Sequence, residues 1–374
     1  MTKFNFASQI IGEKRYQALI LFGIREKTFL RLLVFFLVVA MVSYPYPSLA
    51  MWVGFMFAGY SAIANDSIQT IGTFIASNHD RKWWQLWLYI GLIFVFTVLY
   101  SWYNYDGDVS FQRLTSKGFE TSPSSFHFLQ LAAPLILLLI TRLRMPVSTT
   151  FMLLSAFSAS SDGIFSVAQK SLSGYFISFA VAMLTWFVAA GLVERLVKGE
   201  PGPGWRVFQW LTTGWLWSMW ITHDAANIAI YLNRSLTLTD FVFFAGFVFF
   251  GLGVLFYLRG DKIQGIINEK SSVTDVRSAT IIDLVYAFIL LIFKEWSTIP
   301  MSTTWVFLGL IGGREVAMQL SKRFDTGRSN RETYKMVLKD VSYAGMGLLI
   351  SVALATAINP VIQQEIKELF GFVN

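Results

Sequence analysis

Two short patterns of chemically active residues each occur twice in this sequence. Pro146-Val147-Ser148-Thr149-Thr150 returns 154 residues later as Pro300-Met301-Ser302-Thr303-Thr304. Proline suits the first turn of a helix, and Ser or Thr hydroxyls satisfy the free N–H groups there. A helix starting at membrane depth aims those N–H groups and its positive dipole end at whatever lies in front, an anion site without a basic side chain. The bland alternative is a pair of capped helix starts at a membrane surface. The second pattern is acidic: Ala64-Asn65-Asp66-Ser67-Ile68-Gln69 is echoed by Thr222-His223-Asp224-Ala225-Ala226-Asn227, with the aspartates 158 residues apart. A carboxylate at the centre of a spanning helix costs about 2.5–3.5 kcal/mol, so it calls for a partner. No Lys or Arg lies near either one in sequence, which makes a bound cation the natural partner. Asn65, Gln69 and Asn227 offer the neutral oxygens that a hard ion such as Na⁺ prefers. The i, i+3 pairs Asp66 with Gln69 and Asp224 with Asn227 share a helix face. Helix-capping aspartates near an interface are the alternative here. Two aspartates and a divalent oxyanion would gather about four negative charges at low dielectric, so anion and cations would bind as a set. That is the physical basis of symport.

The composition places these residues in a membrane. The 374 residues are 55% hydrophobic and only 14% charged, with a mean hydropathy of +0.53; soluble domains carry about 25% charge. A soluble enzyme, a nucleic-acid-binding domain and a secreted disulfide scaffold are excluded, and the net charge of +7 reports topology instead. The absence of Cys removes thiolate metal sites and thiol catalysis. The first 28 residues, with Lys3, Lys14, Arg15, Arg25 and Lys27, do not read as a signal peptide. Residues 6–22 fit either a surface-lying amphipathic helix or an ordered cytosolic tail.

Apolar runs of spanning length fall near 30–49, 50–78, 83–102, 126–143, 146–168, 171–193, 207–232, 240–258, 277–294, 299–320 and 340–358. The expectation is an all-α polytopic protein of about eleven spans in the cytoplasmic membrane, N-terminus inside and C-terminus outside. That orientation puts 23 basic residues on the inner side and six outside: Arg113, Lys117, Lys170, Arg234, Lys294 and Lys367. Arg314 remains within a span. The acidic pattern precedes the Pro-x-Ser-Thr-Thr pattern by 80 residues in one half and 76 in the other. The expected organisation is therefore a tail and extra span over 1–49, a first repeat over 50–194, a linker over 195–204, a second repeat over 205–358 and a tail over 359–374. Five crossings per repeat invert the second against the first. Such inverted repeats, with interrupted or re-entrant helices at 50–78, 146–168, 207–232 and 299–320, bind substrate near the midplane.

These residues resemble the inorganic phosphate transporter (PiT) family, whose halves each carry a Gly-Ala-Asn-Asp-x-x-Asn box and a Pro-x-Ser-Thr-Thr-His box. Asn65-Asp66 and Asp224-x-x-Asn227 match the first box; residues 146–150 and 300–304 match the second. The resemblance covers about 50–168 and 205–320. It implies uptake of inorganic phosphate with Na⁺ or H⁺. Ser148, Thr149, Thr150, Ser302, Thr303 and Thr304, with Asp66 and Asp224, would serve the anion. Asn65, Asp66, Gln69, His223, Asp224 and Asn227 would serve the cation. The chain departs from the pattern at His223, Gln69, Phe151 and Trp305. His223 either carries a coupling proton or replaces Asn as a hydrogen-bonding group.

Other residues are weaker candidates. Asp283, inside an apolar run, is a possible further cation or proton ligand. Arg314-Glu315, being adjacent, are expected not to face each other and to lie near the interface. Asp162 reads as a bend at the outer surface, and His79-Asp80 as inner loop. No phosphate-binding loop, zinc-protease or esterase motif is present, so an ATP-driven pump and a membrane enzyme are not expected. The reading is thus a symporter without a resident cofactor, partnered by phosphate, Na⁺ or H⁺ and the lipid bilayer, with a homodimer left open. A sulfate transporter, an anion channel and a non-transporting sensor on the same scaffold are the alternatives.

Overall fold

The computed structural model describes residues 26–115, 119–142, 147–158, 160–188, 200–258, 276–321 and 329–369. Residues 6–22, Pro146, Lys198 and the basic stretches 259–275 and 322–328 lie outside them. Tyr44-Pro45-Tyr46-Pro47 cannot continue a helix, so α1 (Lys27–Ser43) ends there and α2 (Pro47–Ser61) begins with Pro47 in its first turn. The boundary expected at 49/50 therefore falls inside α2. A π-helical turn, Ala62–Asp66, follows, with Ser67 N bonding Ala62 O at 3.0 Å across five residues; α3 (Ile68–Ser77) completes the segment. Next come α4 (Trp83–Asn104), a 3₁₀ turn at Arg113–Thr115 and α5 (Phe128–Arg142).

The spans expected at 146–168 and 171–193 are divided differently. A short helix α6 (Thr149–Phe157) is followed by a break, and α7 (Ser161–Val188) then runs unbroken through 169–170. Ser158 causes the break: it is extended, its hydroxyl donates to Ser160 O at 2.8 Å, and Asn359 donates to its carbonyl at 2.9 Å. Lys170 is therefore a helix-interior residue and not part of an outer loop. The second half holds α8 (Gly204–Ala229), α9 (Leu238–Tyr257), α10 (Val276–Trp296), α11 (Thr303–Ser321) and α12 (Asn330–Ile358). α8 passes through His223-Asp224 without interruption, contrary to the expectation for 207–232. Part of the tail is also helical: α13 (Pro360–Leu369) buries Ile362, and Glu365 accepts from Ser161 N at 3.0 Å.

The described residues contain helices and no strand. Among the described residues, six helical segments are long and apolar enough to cross a membrane: Pro47–Asp66, α4, α7, α9, α10 and α12. The side-chain distribution is that of a multi-pass membrane protein. Phe35, Phe96, Phe176, Phe250, Val254 and Leu349 face outward, while Asp66, His223, Asp224, Asp283, Arg314 and Glu315 are buried. Arg314 and Glu315 overturn the expectation that two adjacent charges do not face each other. The two neighbours fold onto each other, Nη1 to Oε1 at 2.5 Å, with the guanidinium 5.9 Å from the Trp186 ring.

α7 lies along α11, α8 on α10, α4 on α9, α6 on α12 and α2 on α5. The α7–α11 seam depends on small residues. A Cβ on Gly309 would strike the Tyr175 carbonyl and the Ser178 hydroxyl, and one on Gly313 the Phe179 carbonyl. The two carbonyls are backbone atoms that cannot step aside, and the four-residue spacing is what close helix packing in lipid requires. Gly309→Leu or Gly313→Leu is expected to cost about 3 kcal/mol or more. Gly345→Leu, where a Cβ meets nothing within 4 Å, serves as control. Thermal melting of the detergent-solubilised protein checks this; equal midpoints for all three variants would contradict the seam.

Candidate functional site

Ser148 sits ahead of α6 and Ser302 ahead of α11, and each hydroxyl accepts the N–H three residues on: Phe151 N at 3.1 Å and Trp305 N at 3.2 Å. Both Ser-Thr-Thr stretches are therefore N-capped helix starts, and both are buried in the protein interior, not at a surface. They are held in place by long-range bonds. Ser302 N donates to Ser171 at 2.8 Å, Thr150 to Met301 O at 3.3 Å, and the Tyr286 hydroxyl to Thr303 O at 2.9 Å. Phe151 and Trp305, at the positions where the resembled family has His, meet edge to face with centroids 5.3 Å apart.

The acidic patterns come to the same place. Gln69 Nε2 donates to Thr304 at 3.1 Å, and Asn227 Nδ2 donates to Thr150 at 3.1 Å, each crossing from one half of the chain to the other. Asn227 also donates to Asp224 Oδ1 at 2.6 Å, as their shared face requires. In the first copy the π turn shifts the phase by one residue, and Asn65 makes the corresponding bond to Asp66 Oδ1 at 2.8 Å while Gln69 turns away to Thr304. Thr149 lies beside Asp66 and Thr303 beside Asp224, and the two carboxylates are near enough to repel. Thr149 does not close a bond of good geometry to Asp66. Its hydroxyl, Asp66 Oδ2, Asp224 Oδ2, Gln69 Oε1 and Asn227 Oδ1 are buried with no hydrogen-bond partner among the described residues. Buried oxygens of this kind normally have partners, and four of the five are pure acceptors. Such a group suits a hard cation. No cluster of three or more His, Cys, Asp or Glu among the described residues resembles a transition-metal site.

His223 stands apart from this cluster. Its Nε2 lies 2.9 Å from Leu290 O. A carbonyl only accepts, so Nε2 carries a proton; Nδ1 has no hydrogen-bond partner among the described residues. Asp283 also lies elsewhere, accepting from Thr73 at 3.2 Å and Thr213 at 2.5 Å. Beyond it toward the start of α8, Asn78 donates to Gln209 at 3.0 Å, Trp210 to Asn78 at 3.1 Å, and Gln209 to Ser77, which ties the end of α3 to α8.

Two basic residues at the site escaped the sequence reading. Arg113 belongs to the loop after α4 yet is only 1% exposed. Asp108 caps the N–H groups of Ser110 and Gln112 at 2.7 and 2.6 Å, and Phe111 and Gln112 take left-handed φ of 55° and 60°. That strained turn drives Arg113 inward, where Nε donates to Thr222 O at 2.5 Å and Nη1 reaches Ser297 O and Ile299 O at 3.4 Å. Lys170 Nζ donates to the same two carbonyls at 2.7 and 2.6 Å. Burial draws the Arg113 pKa down to about 10 while the nearby Asp224 charge opposes this, so the guanidinium stays charged at neutral pH. The loop is clamped from the other half by Arg234, which donates to Phe119 O at 3.1 Å and Thr121 O at 2.8 Å. Lys170 was legible in principle, as the lone charge in the mostly apolar run 163–188. For Arg113 the sequence offers only the Asp106-Gly107-Asp108 turn, which does not say where the side chain goes.

No protein-family model, characterised protein or solved structure matches this chain.

Proposed function

We propose that the protein is a secondary transporter that moves a tetrahedral oxyanion, inorganic phosphate in the first instance, together with Na⁺ or H⁺. The observation that carries the reading is the meeting of four sequence patterns at one buried place, through the bonds Gln69–Thr304 and Asn227–Thr150, around acceptor oxygens that lack partners. Two capped helix starts face this place from opposite halves and suit an anion; the two carboxylates and two amide oxygens suit cations. The resemblance to the PiT family rests on these same residues and implies the same division of labour.

The inverted-repeat organisation belongs to the same proposal. On this reading α2–α3, α4, α5, the segment ending in α6, and α7 make five crossings. They correspond in order to α8, α9, α10, the segment ending in α11, and α12, and α1 supplies an eleventh. Exchanging the halves turns the contact of α7 with α11 into that of α12 with α6, and α2 with α5 into α8 with α10, while α4 with α9 maps onto itself. This exchange supports a pseudo-twofold axis through the site.

Uptake of labelled phosphate and sulfate into sealed proteoliposomes, with Na⁺ and pH gradients imposed separately, tests the proposal. The expected result is phosphate accumulation against its gradient only while a cation gradient stands. Accumulation of sulfate instead changes the substrate and keeps the mechanism. Flux that merely equilibrates marks a channel, and binding without flux marks a sensor; either outcome overturns symport.

A further inference from the structure

Asp283 takes no part in the cluster around Asp66 and Asp224, yet it is as deeply buried. Its surroundings are of another kind. At the cluster, acceptor oxygens are left over. At Asp283 both carboxylate oxygens are taken, Oδ1 by the Thr73 hydroxyl at 3.2 Å and Oδ2 by the Thr213 hydroxyl at 2.5 Å. A hard metal cation needs several oxygens turned towards it, and here none is spare. A proton needs a single lone pair. Among the described residues no ion pair reaches Asp283. Of the helices packed on α10, α3 carries no titratable side chain, and those of the others meet different groups. His223 and Asp224 of α8 bond Leu290 O and Asn227, Lys170 of α7 bonds Ser297 O and Ile299 O, Tyr175 of α7 stacks on Phe179, and Arg314 and Glu315 of α11 hold each other. On α10 itself Tyr286 donates to Thr303 O, and Arg277 lies more than one turn before Asp283.

The bonds around Asp283 also join the two halves of the chain. Thr73 belongs to α3 in the first half, Thr213 and Asp283 to α8 and α10 in the second. One turn beyond Thr73 on α3, Ser77 and its neighbour Asn78 meet Gln209 and Trp210 of α8, and further out Arg206 pairs with Asp80 at 2.9 Å at an exposed end. One turn to the other side of Thr73, Gln69 is bonded to Thr304 of the site. Asp283 therefore stands on a polar seam between the halves, with the candidate site at one end and an exposed ion pair at the other. Resting on the transport reading above, we propose that Asp283 is a proton-binding site, which takes up one proton through the Asp80–Arg206 end of the seam and returns it in each transport cycle. Rocking of one half against the other parts Thr73 from Asp283, whereas Thr213 moves with it. A hydrogen bond to the ionised form favours that form, so the buried carboxylate that loses one accepts a proton from water and becomes a neutral acid. When the halves close again the Thr73 hydroxyl returns, the acid O–H bond breaks, and the proton leaves to water along the seam.

Two measurements test this. Infrared difference spectra of the detergent-solubilised protein, taken between alkaline and acid pH, report carboxylic acids directly and need no transport. The expected result is a carboxylic-acid band that Asp283→Asn removes and Asp66→Asn keeps. Thr73→Val deletes one hydrogen bond to the ionised form and is expected to raise the midpoint of that band by about one pH unit or more, tenfold in proton affinity. In proteoliposomes, a trapped pH-sensitive dye and labelled phosphate together give the protons carried per phosphate. Asp283→Asn is expected to carry one proton fewer than the wild type, a comparison in which the protons of phosphate itself cancel. A band untouched by Asp283→Asn, or a midpoint unmoved by Thr73→Val, overturns the proton site. A band that Asp283→Asn removes while the protons per phosphate stay the same overturns its part in the cycle. The Thr73→Val midpoint decides the matter even if Asp283→Asn does not fold. No cation-driven accumulation in the wild type removes the transport reading, whereas the infrared titration still tests the proton site by itself.

Discussion

Replacing Asp66 with Asn is expected to abolish cation-driven uptake, lowering the initial rate by about a hundredfold or more, while the protein inserts and folds as before. The reasoning starts from cost. An ionised carboxylate in this position is expensive to bury, and the neutral amide is nearly the same size. The variant therefore loses a charge that the fold never needed. Asn65 still finds an oxygen to donate to at position 66. What disappears is the full negative charge that makes binding of a small hard cation worth its dehydration. A loss of about 3 kcal/mol in cation affinity corresponds to more than a hundredfold. Initial rates at saturating anion, together with thermal melting of the same preparation, separate the two roles. Wild-type rates at an unchanged midpoint would remove Asp66 from the cation site. A collapsed midpoint would make it a structural residue.

How much of this was legible beforehand depends on what each feature is made of. The duplicated strings were readable because capping and buried acidity are local chemistry written in adjacent residues. Ser148 caps Phe151 N and Ser302 caps Trp305 N within three residues of each other. The convergence of the four strings followed from their order in the chain. Element ends were less legible wherever a hydroxyl competes for the backbone. Nothing in Ser158-Ala159-Ser160-Ser161 ranks a break there above one at Gln169-Lys170, and the tertiary bond from Asn359 settles it. The π turn is a one-residue phase error and leaves no compositional trace. Arg113 was invisible for a further reason. A charge in a polar loop reads as solvated, and its burial depends on a strained turn and on acceptors more than a hundred residues away. Arg314 and Glu315 misled in the opposite sense: sequence adjacency suggested that they could not meet, whereas two long side chains on neighbouring residues can fold back onto each other.

The double variant Ser148→Ala with Ser302→Ala decides between the two meanings of the helix starts. As plain caps, each serine is worth about 1 kcal/mol of stability, and their loss would lower the melting midpoint while leaving the half-saturating anion concentration alone. As parts of an anion site they do more. Each hydroxyl accepts from an N–H of its own helix, which leaves its proton free to donate outward, and it fixes the direction in which the remaining N–H groups point. Charge-assisted hydrogen bonds of this kind are worth about 1.5–3 kcal/mol apiece. The half-saturating anion concentration is therefore expected to rise at least about tenfold, with the order in cation unchanged because Asp66, Gln69 and Asn227 are untouched. Equal loss of anion and cation affinity is the outcome to expect if the pocket has merely collapsed. The cross-half bonds Gln69–Thr304 and Asn227–Thr150 argue against collapse, since they end on threonines that both substitutions leave in place. An unchanged anion dependence in a stably folded double variant would reduce both helix starts to architecture and leave the oxyanion without its binding groups.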